Sequence, residues 1–214
     1  MMSTLLYWGI IFCIWNVNVR IIQKLDPPNW IISPKQYWIF VGWSGINAVV
    51  ISSILCVDGM TKLLLAIFGG CLLFACITDC KTCEVYQFTW WIAGAAGGGI
   101  FCKMLSNSDG IGIASLGTLL FFGLLQETFF CKFYGRADCH AFVVSALAIY
   151  GMGMELRNCL NHMLYAFVGV AIVQLFRHNI NRRGNLKRPV AFIPYITVAF
   201  WINLCCFSLK KVIY

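Results

Sequence analysis

Two aspartates stand out among the eight acids of this 214-residue chain. Asp79 closes an apolar block in Ala75-Cys76-Ile77-Thr78-Asp79-Cys80-Lys81, and Asp138 opens another in Tyr134-Gly135-Arg136-Ala137-Asp138-Cys139-His140. A third acid, Glu127, lies inside an apolar block. The other five (Asp26, Asp58, Glu84, Asp109 and Glu155) fall between blocks and read as solvated loop charges. Each aspartate alone has a structural explanation. Asp138 suits a helix N-cap, and Asp79 suits a charge at a membrane boundary. Together they suit chemistry. Two carboxyls held close share a proton near neutral pH, because like charges resist ionising side by side. One then acts as general base on a water, and the other donates a proton to a scissile carbonyl oxygen. Titration would belong to the pair rather than to either residue. An ionisable group at membrane depth is costly, so function is its default reading.

The elements that must position the pair are membrane spans. The chain is 60% hydrophobic and 11% charged, against about a quarter charged in an ordinary soluble domain. Its apolar residues form eight blocks, near 3–20, 36–57, 61–78, 87–105, 110–132, 138–154, 160–177 and 189–208. Each is long enough for a hydrocarbon core of about 30 Å. Unpaired backbone groups are intolerable in lipid, and the blocks lack the alternation of a barrel strand, so the expected fold is all-α and polytopic. Asp26-Pro27-Pro28-Asn29 separates the first span from the rest. The organisation expected is an N-terminal pair of helices in 1–60 and a six-helix core in 61–214.

The net charge of +8 comes from basic residues in short loops, which signals topology rather than nucleic acid. With the N-terminus outside, eleven of the sixteen Lys and Arg fall on the inner side and five on the outer side. Asp79 and Asp138 then share the cytoplasmic face. The basic loop 178–188 is a topology determinant that also suits anionic lipid headgroups. No Lys or Arg precedes the first apolar run, so the N-terminus does not read as a cleavable leader.

The motifs around the two aspartates resemble those of the type IV prepilin peptidases, a family of GxGD-type intramembrane aspartic proteases. Gly135-Arg136-Ala137-Asp138 resembles the GxGD motif, with Ala137 in place of the second glycine. Asp79, followed by Lys81 and a short turn over 82–86, resembles the first catalytic position. Two spans separate the aspartates, as in that family. His140 stands where the family usually has lysine, and Glu84-Val85-Tyr86 replaces its usual Ile-Pro. Arg188-Pro189-Val190-Ala191-Phe192-Ile193-Pro194 is similar to the family's entry into its last helix. The likeness covers about 61–208. It implies a catalytic pair Asp79 and Asp138, no cofactor, and a prepilin or pilin-like substrate cut at the cytoplasmic face of a bacterial membrane. The family's bifunctional members carry a cytoplasmic insert with paired CxxC motifs. The loop 21–35 has no cysteine, so peptidase activity without methyltransferase activity is expected.

Three rival readings exist. Twelve cysteines include a CxxC, Cys80 and Cys83, beside Asp79, and Cys139-His140 follows Asp138. Those four side chains have the types of a tetrahedral zinc site, which would make a metal-binding or thiol-redox membrane protein. An inactive scaffold would keep the fold alone. A transporter would use Glu127 and the aspartates as a proton relay. In the fourth block, Gly94 and Gly98 form a GxxxG expected to pack against another helix.

Overall fold

The computed structural model describes residues 2–25, 32–54, 57–106, 111–180 and 190–213; within these, the side chains of 2, 54, 111–113, 177–180 and 210–213 are not described. The break at Asp26–Asn29, Asp109, Arg188-Pro189 and nearly all of the basic loop 178–188 fall outside the described residues. Among the described residues the fold is all-helical: α1 (Met2–Leu25), α2 (Pro34–Val49), α3 (Gly59–Thr82), α4 (Gln87–Ser106), α5 (Ile111–Thr128), α6 (Arg136–Gly151), α7 (Leu156–Ile180) and α8 (Ile193–Ile213). A π-helical segment, Val50–Ile54, prolongs α2, and a 3-10 turn, Phe130–Lys132, follows α5. Each of the eight apolar blocks therefore coincides with a helix.

Four helical stretches are long and apolar enough to cross a membrane: Ser3–Leu25, Gly59–Thr82, Ala114–Lys132 and Leu156–Phe176. That suggests an integral membrane protein. Only 17% of the most apolar window of α5 is buried, and 22% of that of α7, against 67% for α3. The outward faces of α5 and α7 carry exposed Leu120, Phe121, Leu124, Leu164, Leu175 and Phe176. Such faces suit lipid rather than water. α3 is the central post, packed against α1, α2, α4 and α8.

Local signals set the helix ends. Ser33 caps α2 in a reciprocal capping box with Gln36, and Pro34 occupies a first-turn position where no amide donor is needed. Asp58 caps α3 by accepting from the amides of Met60 and Thr61 at 3.0 and 3.2 Å. α3 ends at Cys83, whose φ of 54° is left-handed. The helix runs past the expected limit at 78. The Thr82 hydroxyl donates to the Thr78 carbonyl at 2.9 Å and helps cover the last turn. Asp79 is thus inside the final turn of α3 rather than beyond it.

α4 lies between α3 and α6. Glycines permit that close approach, but not the expected pair. A methyl group at Gly97 would meet the Val144 carbonyl at 3.1 Å, and one at Gly151 would lie 2.6 Å from the Phe101 amide nitrogen. One at Gly94 would reach Val144 only at 3.8 Å, and one at Gly98 would meet nothing within 4 Å. The contact uses a face about one residue round from the GxxxG, because α6 crosses α4 there.

Candidate active site

Asp79 and Asp138 lie at one end of the bundle, linked through the start of α8: the Ile193 amide bonds Asp79, and the neighbouring Phe192 ring packs on Tyr134, in the turn that leads into α6. α3 and α6 are both packed against α4 and α8. At one end of the bundle the Asp138 carboxyl feels the charge of Asp79. α8 thus bridges the two aspartate-bearing helices.

The N-terminus of α8 explains where Asp79 points. The first amides of any helix lack intrahelical acceptors. α8 has no acid in its own first turn. Asp79, only 6% exposed, supplies the acceptor from 114 residues away: the Ile193 amide donates to its Oδ2 at 2.9 Å, and the Phe192 amide also donates to it. The Phe192-Ile193 segment, read as the entry to the last helix, is thus the ceiling of the site.

Asp138 is the third residue of α6. The N-cap is Gly135, which has no side chain to offer, and the Asp138 carboxylate reaches back to accept from the Gly135 amide. Asp138 is not the N-cap, but it does satisfy the amide at that end. Its Oδ2 would lie 3.4 Å from a methyl group at Gly135, so glycine leaves the carboxyl room. Ala137 is half-buried, and Lys81 sits in the last turn of α3, where a cation suits the negative end of the helix dipole.

His140 makes a contact that sequence reading missed. Its Nε2 lies 3.1 Å from Oε1 of Glu127, tying α6 to the end of α5. The signal was present: positions 127 and 140 are equidistant from the Phe133-Tyr134 turn, so a hairpin sets them opposite each other. Gln126 and Tyr134 were missed as well. The Tyr134 hydroxyl donates to Gln126 Oε1, and the buried Gln126 Nε2 donates to Met163 Sδ at 3.3 Å. Burial, above all, pushes the Tyr134 phenol up from its ordinary range. The Tyr134 ring packs on Phe142, Phe167 and Phe192. Phe192 is the residue whose amide serves Asp79, so this aromatic cluster joins the two aspartate-bearing ends.

The four proposed zinc ligands do not gather. Cys80 and Cys83 are exposed at the end of α3, Cys139 is wholly buried in α6, and His140 pairs with Glu127. Among the described residues no three His, Cys, Asp or Glu side chains are placed to hold a metal ion. The physical reason is helix periodicity. Neighbours in sequence on α6, Cys139 and His140, face different surroundings.

Beside the start of α6 lies a polar recess of about 390 Å³, lined by Gln87, Trp90, Glu127, Arg136, Ala137 and His140 among others. The arrangement offers two neighbouring carboxyls, partly shielded from water, with one Asp79 oxygen committed to backbone amides. No family model matches the chain, and no curated protein or solved structure matches it significantly.

Proposed function

We propose that this chain is an intramembrane aspartic endopeptidase of the type IV prepilin peptidase kind, with eight spans, a six-helix peptidase-like core and its site toward the cytoplasm of a bacterial cell. The observation that supports it best is the Asp138 carboxyl lying in the field of Asp79, each from a different helix. A water between the two carboxyls loses a proton to one of them as its oxygen bonds to the scissile carbonyl carbon. The other carboxyl protonates the carbonyl oxygen. Collapse of the tetrahedral intermediate breaks the C–N bond, and the proton held by the base passes to the leaving amine. No covalent enzyme intermediate is needed. The substrate is a prepilin or pilin-like protein with a basic leader followed by an apolar helix in the bilayer. The scissile bond must be extended, since helical backbone already has its hydrogen bonds. The short loop 21–35, without cysteine, supports cleavage without N-methylation.

A second reading has its own observation. Asp79 accepts the amides of α8, and Asp138 accepts the Gly135 amide. On that reading both carboxylates are helix caps in a scaffold. Co-expression with a pilin-like protein decides between the two. The peptidase reading expects leader cleavage by the parent chain and by Cys80→Ser/Cys83→Ser, and none by Asp138→Asn. Cleavage that persists in Asp138→Asn removes it.

A further inference from the structure

Glu127 is an acid that the dyad does not use. It sits at the end of α5, where its carboxylate is 41% exposed and faces the polar recess beside Asp138. Its surroundings are basic: Arg136 lines the same recess, and Lys132 lies in the adjoining 3-10 turn. Apart from the aspartate pair, Glu127 and Glu84 are the only acids at this end among the described residues. Glu84 is exposed in the turn after α3, outside the recess lining. Outside the aspartate pair, Glu127 and Glu84 are therefore the acids that a cationic chain could meet at this end, and of the two only Glu127 is set into a concave wall.

A second feature of that wall points the same way. Trp90 is 5% exposed, and its indole N–H is buried without a hydrogen-bond partner. An indole ring also suits a neighbouring cation. Recess, carboxylate and ring together fit a short extended peptide bearing Lys or Arg.

We infer that Glu127 is the specificity residue for the leader: its carboxylate takes up a Lys or Arg side chain on the leader side of the scissile bond, displacing His140, which holds the carboxylate in the empty protein. The inference rests on the peptidase reading for its substrate, yet its binding step can be read without cleavage. When the leader binds, the contact to His140 opens and a charge-assisted contact to the incoming cation forms in its place.

The test uses the full chain reconstituted in liposomes. The probes are three synthetic peptides, each a leader followed by one apolar helix, with three Lys, three Gln or three Glu in the leader. Equilibrium binding and cleavage are measured separately at low salt. The parent is expected to prefer the Lys leader, and Glu127→Gln to lose that preference by about tenfold, the size of one partly exposed charge contact. His140→Gln frees the carboxylate and is expected to hold or strengthen Lys-leader binding. Glu127→Lys is expected to favour a leader carrying three Glu. The inference is overturned if Glu127→Gln and His140→Gln weaken the Lys and Gln peptides alike, as a simple strut between α5 and α6 would. It is overturned equally if Glu127→Gln keeps the parent's preference. A parent chain that binds the Lys leader selectively through Glu127 but cleaves none of the peptides sinks the dyad reading and leaves the assignment of Glu127 standing.

Discussion

On the peptidase reading Asp79 carries two roles, and replacing it by Asn and by Ala separates them. The Ile193 and Phe192 amides both donate to its carboxylate, which is nearly buried. Asp79→Ala strands both donors. At about 1–3 kcal/mol for each buried group left unpaired, the loss is roughly 2–6 kcal/mol. Asp79→Asn keeps a carbonyl oxygen in the same place. It forfeits only the charge at the N-terminus of α8, a loss of about 0.3–1 kcal/mol. For a chain of this size 1 kcal/mol moves the midpoint by about 2–4 °C, so Ala should melt well below the parent and Asn only slightly below. The assays are thermal unfolding in detergent and leader cleavage in membranes. Asn is expected to fold and to be inactive, because an amide can accept the cap hydrogen bonds but cannot take a proton from water. Asn that cleaves like the parent refutes the catalytic role. Ala that melts with Asn refutes the claim that Asp79 anchors α8.

Further outcomes follow from packing and charge. Gly151→Ala puts a methyl group 2.6 Å from the Phe101 amide nitrogen, whereas Gly98→Ala meets nothing within 4 Å. The first should cost about 1–3 kcal/mol by prising α4 from α6, and the second should be neutral or stabilising, as read by thermal aggregation in detergent. At the opposite end of α3, Lys103 pairs with Asp58 and holds its carboxyl well below the ordinary 3.8. A folded-state value below the unfolded one stabilises above the unfolded value and is lost as pH falls through the folded one. Asp58→Asn should therefore melt below the parent at pH 7, by no more than about 1 kcal/mol because the side chain is half exposed. Titrating both proteins below pH 4 should close the gap, and a gap that widens in acid contradicts the assignment.

The eight helices are legible because each lies on a long apolar run, and such runs can be counted; four helical stretches are long and apolar enough to cross a membrane. What the count misses sits at helix ends and faces. Thr78 to Thr82 are too polar to extend an apolar block, yet they are helical, since hydroxyl-to-carbonyl bonds serve the last turn. Gly94 and Gly98 have the spacing of a contact motif, but the crossing of α6 selects Gly97 and Gly151, and no spacing within α4 encodes that crossing. The Glu127–His140 pair was within reach, because a hairpin reflects positions about its turn. The bond from Ile193 to Asp79 was not, because nothing local links residues 114 apart. That bond also changes what the motifs mean. Aspartate beside a free helix N-terminus is explained by its amides alone, and both aspartates have such amides here. Capping explains each residue separately. It gives no reason for the two capped ends to meet, since α6 and α8 could each be capped far from the other. On the peptidase reading, it is the placing of both carboxyls at one end of the bundle, rather than either motif, that would set a catalytic pair apart from two structural aspartates.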